Sequence, residues 1–397
     1  MMAPTFDELQ KNLGLTTEYL NADQLDDLKN WCRSNVSAVL EFTGKPEDVY
    51  LKYFEVAKAY LDNFIVWKPE DNTKVLAEFE DMNAIQRAAY KGYDVFLDSL
   101  KLPTADAFNL ENEYGMTPLH LAALKGHLNT IKLLLSKGAQ PIYANKSGQF
   151  PVYSALVMAI SDTPELKKKK CEIFNLLIEK EDFLSAVDLS GETIMHLMAL
   201  NGFDNLIKEV LKHRSQLAFN CNHRSRYPIH VAILNKQVNA VKELLQVEGM
   251  SEVTDENNRN PLHYAAMYSG LPIIKECIAA SKNIDARDTF ARTALLLAAE
   301  SGNLPAVQEL IKNKACIDVV DLSGQNILHL AVQSQNYNLV KWILLNTNID
   351  VNSKDENDHT PLYYAVNKEQ QKVPNSKIEQ LLAGKGGTNS SANGLFQ

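Results

Sequence analysis

Two histidines, a threonine and two glycines crowd the stretch from Tyr114 to His127, Tyr-Gly-Met-Thr-Pro-Leu-His-Leu-Ala-Ala-Leu-Lys-Gly-His. From such residue types a nucleophile and its base can be assembled, provided a third group orients the base. The second candidate for chemistry is Cys221 with His223, a thiol and an imidazole two residues apart. That spacing in a turn does not by itself bring sulfur and nitrogen into contact. Asp7, Glu8, Asp23, Asp26 and Asp27 read as groups that begin or decorate helices. No dinucleotide-binding, phosphate-loop, zinc-protease or nucleophile-elbow motif stands in a suitable context, so no catalytic residue, metal ligand or cofactor is assigned.

The elements that would position these residues explain them better. Thr117-Pro118-Leu119-His120 recurs as Phe150-Pro151-Val152-Tyr153, Thr193-Ile194-Met195-His196, Tyr227-Pro228-Ile229-His230, Asn260-Pro261-Leu262-His263, Thr293-Ala294-Leu295-Leu296, Asn326-Ile327-Leu328-His329 and Thr360-Pro361-Leu362-Tyr363. Successive starts lie 33 or 34 residues apart, except for a longer step between 150 and 193. A degenerate copy begins at Asn83. Thr or Asn can cap a helix and Pro suits its first turn. Gly126, Gly202, Gly270 and Gly302 follow about two turns later, where a left-handed residue ends a helix. A second helix then presents one apolar face, as at Leu128, Ile131, Leu134 and Leu135, and at Leu304, Val307, Leu310 and Ile311. Helices this short are marginal alone, since isolated ones need roughly 12 to 15 residues. Neighbouring units must therefore stack.

In period, motif and register these residues resemble ankyrin repeats. The resemblance covers about residues 82–383 and implies an all-α solenoid of stacked helix pairs with short hairpin-like fingers, about nine units in all. It further implies that His120, His196, His230, His263 and His329 hydrogen-bond the neighbouring turn and cross-link adjacent units. The turn residue five places before each motif is Asn112, Asn145, Asp188, Asn222, Asp255, Asp288, Asp321 and Asp355. Gly115, Gly148, Gly191 and Gly324 supply the turn glycine, whereas Ser225, Asn258, Ala291 and Asp358 depart from it and imply differently shaped fingers.

Three regions fall outside the pattern. Residues 1–81 have helical patterning, with Tyr50, Tyr53, Phe54, Ala57, Tyr60, Leu61 and Phe64 on one stripe, and read as a helical cap on the stack. An insertion near 159–171 carries Lys167 to Lys170, read as a solvated run. The Gly-, Ser- and Asn-rich 384–397 reads as a disordered tail.

Composition bounds the function. The formal charge of −9 disfavours broad attraction to nucleic acid or membrane. No apolar run approaches the roughly 20 residues that span a bilayer. Met1 to Glu8 does not read as a secretory signal, and the five scattered cysteines, Cys32, Cys171, Cys221, Cys277 and Cys316, fit reduced thiols in a cytoplasm.

The resemblance implies a protein partner held in the groove of fingers and first helices, and a scaffold or adaptor rather than an enzyme. A monomer is expected. The residue before each motif runs Met116, Gln149, Glu192, Arg226, Arg259, Arg292, Gln325, His359. Three consecutive arginines on units stacked on the order of 10 Å apart could form a ladder suited to carboxylates or phosphates. The alternative is that they pair with Glu256, Asp255 or Asp288 in adjoining fingers. His223, Arg224, Met267, Tyr268 and Phe290 lie nearby in sequence register and are interface types. An acidic or phosphorylated partner segment is therefore expected there. The chain also resembles ankyrin-repeat effectors delivered into host cells by intracellular bacteria, through the tail ending Gly394-Leu395-Phe396-Gln397. The competing expectation is an enzyme with a site in residues 1–81 or in the irregular unit at 150–193.

Overall fold

The structure is a computed structural model that describes residues 82–100, 105–159, 162–179, 183–366 and 376–389. The helical cap expected over 1–81, Cys32 and the tail beyond 389 lie outside those residues. The chain divides into two compact units, Met1–Leu189 and Ser190–Gln397. Among the described residues, the first unit holds three helix pairs and the second six. The leading helices are Ala84–Lys91, Pro118–Lys125 and Pro151–Leu156, then Ile194–Asn201, Pro228–Leu234, Pro261–Tyr268, Ala294–Glu300, Ile327–Gln333 and Pro361–Val366. Each is followed by a trailing helix, Leu128–Ser136 and Leu304–Lys312 being typical.

The two helix types are buried differently because their sequences differ. In Pro118–Lys125, residues from Pro118 through Ala123 are all buried, and paired alanines such as Ala122 and Ala123 let leading helices approach closely. The trailing helices are amphipathic. Ile131 and Leu134, or Val307 and Leu310, are fully buried, while Leu128, Leu135, Leu304 and Ile311 flank them half-exposed.

The fingers at Asn112, Asn145, Asn222, Asp255, Asp288, Asp321 and Asp355 use one local device. Asn112 Oδ1 accepts from the amides of Tyr114 and Met116 at 3.0 and 2.8 Å, and the Gly115 amide donates to the Asn112 carbonyl at 2.9 Å. The same bonds recur at Asp288, with the amides of Phe290, Arg292 and Ala291. Within each unit, backbone rungs join successive fingers, such as Lys146 N to Tyr114 O at 3.0 Å and Leu322 N to Phe290 O at 3.0 Å.

Three expectations are corrected. Fingers without glycine keep the same shape: Ser225, Asn258, Ala291 and Asp358 take φ of 53 to 59°, alongside 73 to 77° at Gly115, Gly148, Gly191 and Gly324. The side-chain and backbone bonds of the turn outweigh the left-handed cost of roughly 1–2 kcal/mol. Gly270 is not a left-handed terminator like Gly126, Gly202 and Gly302; it is extended (φ −84°) and precedes Leu271–Ala280. Finally, the ordered chain runs past 384, because the Thr388 amide donates to Asn352 Oδ1 at 2.7 Å and Thr360 Oγ1 donates to the Thr388 carbonyl at 2.7 Å.

Ala291→Gly should therefore stabilise the second unit by about 1 kcal/mol. A urea midpoint that is unchanged or lower would contradict that account of the turn.

Candidate interaction surface

The motif histidines are locked into the fold. The Thr117 amide donates to His120 Nδ1 at 3.1 Å, which fixes that nitrogen as an acceptor and leaves the proton on Nε2. Nε2 then donates to the Gln149 carbonyl of the next repeat at 2.9 Å. His196 joins Thr193 to the Arg226 carbonyl in the same way, His263 joins Asn260 to the Ala286 and Arg292 carbonyls, and His329 joins Asn326 to the His359 carbonyl. His230 accepts from the Tyr227 amide, but its Nε2 faces the Arg259 carbonyl without reaching hydrogen-bond geometry. Burial pushes the His120 and His230 imidazoles down to about 4.

The residue before the motif proves to be a second set of staples. Gln149 Nε2 donates to Asp188 Oδ2 at 2.9 Å, and Asn222 Nδ2 donates to Glu192 Oε1 at 2.7 Å. Arg259 Nε reaches Asp288 Oδ2 at 3.2 Å. Where the next repeat carries a tyrosine on its leading helix, the link is relayed. Arg226 Nε donates to Tyr264 OH, which donates to Asp255 Oδ2 at 2.7 Å. Gln325 reaches Asp355 through Tyr364 in the same manner. Arg292 turns back instead, onto Asp288 Oδ2 at 3.1 Å and Glu300 Oε2 at 2.9 Å.

The three arginines are thus engaged within the chain, with Arg259 and Arg292 side chains only 18% and 14% exposed. Burial opposes ionisation of Asp288, but the amides of Arg292 and Phe290 and the Arg292 guanidinium outweigh it and hold the carboxyl below its ordinary range. Burial, then the bond to Asp255, pushes the Tyr264 hydroxyl up to about 12.

Four of the expected contact residues stay open: His223, Arg224, Tyr268 and Phe290 are exposed, the last two by 45% and 49%. Met267 is half-buried, and the Arg292 guanidinium lies 4.8 Å from the Phe290 ring centre. Cys221 is exposed, and burial pushes the Cys277 thiol up to about 12. Among the described residues no group of three His, Cys, Asp or Glu side chains could hold a metal ion, and no helix is long and apolar enough to cross a membrane.

Lys170 corrects the solvated reading of the lysine run. Its side chain is 2% exposed, and its ammonium pairs with Asp162 at 3.0 Å and with the Val157 carbonyl. The signal was present, because Lys170, Ile173, Phe174 and Leu177 share one stripe of Pro164–Ile178.

A family model described as ankyrin repeats matches overlapping stretches from residue 52 to residue 393. Among curated proteins, mouse 2-5A-dependent ribonuclease is 39% identical over 72 residues, 18% of this chain and 10% of that protein. Mouse Rabankyrin-5 is 30% identical over 135 residues, 34% of this chain and 11% of that protein. The chain therefore matches only about a tenth of the length of these relatives. Among solved structures, the ankyrin repeat domain of Bcl-3 is 19% identical, with a TM-score of 0.44, over 51% of this chain and 92% of that one. The repeating helix pairs, the stapled fingers and a family match across most of the sequence place this chain in the ankyrin-repeat family.

Proposed function

We propose that this protein is a non-catalytic protein–protein interaction scaffold whose second unit holds its partner on His223, Arg224, Tyr268 and Phe290. The supporting observation is the exposure of two aromatic side chains and an arginine beside a row of residues consumed by inter-repeat bonds. Aromatic and arginine side chains dominate interface energetics. Tyr268 and Phe290 supply apolar anchors, with Met267 at their margin. Arg224 and His223 supply the preference for an acidic or phosphorylated segment. Arg226, Arg259 and Arg292 support the surface from behind through Tyr264, Asp288 and Glu300.

The double variant Arg224→Glu, Phe290→Ala changes only exposed side chains, so stability should stay within about 1 kcal/mol. Affinity purification from lysate, followed by identification of the bound proteins, should show the principal partners of the wild type depleted about tenfold or more. An unchanged partner set from a folded double variant would sink this reading.

A further inference from the structure

In the first unit, one repeat departs from the others in a way that builds a cavity. Its leading helix, Pro151–Leu156, stops after six residues, and Val157 continues in an extended conformation where the unit's other two leading helices end on left-handed Gly92 and Gly126. The Thr163 hydroxyl then caps the fifteen-residue helix Pro164–Ile178 by accepting from the Leu166 amide. Lys170 reaches back from that helix to the Val157 carbonyl and to Asp162, and so ties these two residues together. Val157, Ala159 and Asp162 help to line a cavity of about 430 Å³ whose apolar lining also includes Met82, Met116, Leu121, Leu124, Met158 and Leu166. That volume lies within the range of about 300–1,000 Å³ typical of ligand sites. Methionine suits such a lining because it adapts its shape to an inserted side chain.

The rim is positively charged on balance. Asp162 is neutralised by Lys170 at 3.0 Å. Lys125 is exposed at the end of Pro118–Lys125 and lines the same cavity. Its ammonium sits 4.4 Å from the centre of the Tyr90 ring, over which Lys91 also lies at 5.9 Å. The apolar lining reaches solvent at the cavity mouth through Val157, 39% exposed. A small molecule seated among the methionines would leave Val157 wet, whereas a chain crossing the mouth would cover it and reach Lys125.

We propose that this cavity docks an extended segment of a partner protein in which apolar side chains are flanked by carboxylates, the apolar group entering among the methionines and a carboxylate meeting Lys125. This site is separate from the surface proposed for the second unit and does not depend on it.

The test uses the full chain labelled with ¹³C at its methionine methyls. It is titrated with a short peptide carrying Glu-Leu-Leu-Glu, with Lys-Leu-Leu-Lys and Glu-Ser-Ser-Glu versions, and with decanoate. The Glu-Leu-Leu-Glu peptide should shift the methyls of Met82, Met116 and Met158 and leave Met267, in the other unit, unmoved. Both altered peptides should bind at least about tenfold more weakly, as should the parent peptide to Lys125→Glu. Phe290→Ala should bind like the wild type. The proposal is overturned if Glu-Leu-Leu-Glu leaves those methyls unmoved, if either altered peptide binds equally, if Lys125→Glu binds unchanged, or if decanoate saturates the site and excludes the peptide.

Discussion

Asp288→Ala is expected to destabilise the second unit by roughly 3 kcal/mol, a value typical of removing one partner from a buried charge cluster. Its carboxylate has no solvent exposure. It accepts from the Phe290 and Arg292 amides at 2.9 Å each, from Arg259 Nε at 3.2 Å, and from Arg292 Nε and Nη2 at 3.2 and 3.1 Å. Alanine would orphan both amides and leave two guanidinium groups in a site too closed to rehydrate them fully. Asp288→Asn keeps the oxygen facing the amides but loses the charge, so roughly half the loss is expected. Asp321 provides the internal comparison. It serves its own turn through the Ser323 and Gln325 amides, and no ion pair is among its bonds. Asp321→Ala should cost about 1 kcal/mol. Urea unfolding of the three variants checks the order; equal losses at 288 and 321 would refute the shared role of Asp288.

Acidification from pH 7 to 5 is the second large effect. His120 and His230 have folded values of about 4 against an ordinary 6.5, so the unfolded chain binds more protons between those values. Their contribution is complete above pH 6.5 and is lost as the pH falls towards 4. By pH 5 the loss is about 2 kcal/mol for each histidine. Burial also lowers His263 and His329, which adds in the same direction. His230→Leu isolates one contribution, because Leu296 already fills the equivalent position fully buried and the variant gives up chiefly the bond from the Tyr227 amide to Nδ1. The variant should be less stable than the wild type by about 1 kcal/mol at pH 7, the cost of the lost Tyr227 bond. Between pH 7 and 5 it should lose about 2 kcal/mol less. An unaltered pH dependence would show that His230 is not a titrating element of the fold.

What could be read from the sequence was what repeats locally. Thr117, Pro118 and Gly126 specify the start and end of a helix within ten residues, and alignment of eight such motifs fixed the register of the array. The turn residues Asn112 to Asp355 were legible for the same reason. What escaped depends on partners a full repeat away. Pairing of Arg259 with the Asp288 of the next finger, 29 residues on, was one of two expectations that the sequence left open, and a relay such as Arg226–Tyr264–Asp255 needs three positions at once. Left-handed Ser225 and Ala291 escaped because intrinsic preference argues against them, while the surrounding turn bonds impose the conformation. Lys170 was hidden by its neighbours: three lysines before it mark a surface, yet its own place on the Ile173 and Phe174 stripe marks an interior.

The residues most suggestive of chemistry are fixed parts of the fold, spent on bonds within the chain, and recognition is proposed for the open side chains around them. Ring-nitrogen NMR of the histidines, followed from pH 7.5 to 5.5 in the folded protein, tests this most directly. His120 and His230 are expected to remain neutral throughout this range, His120 with its proton on Nε2, and His263 and His329 to titrate below the ordinary 6.5. A motif histidine that titrates near 6.5 while the protein stays folded would contradict the account and reopen the motif as a reactive site.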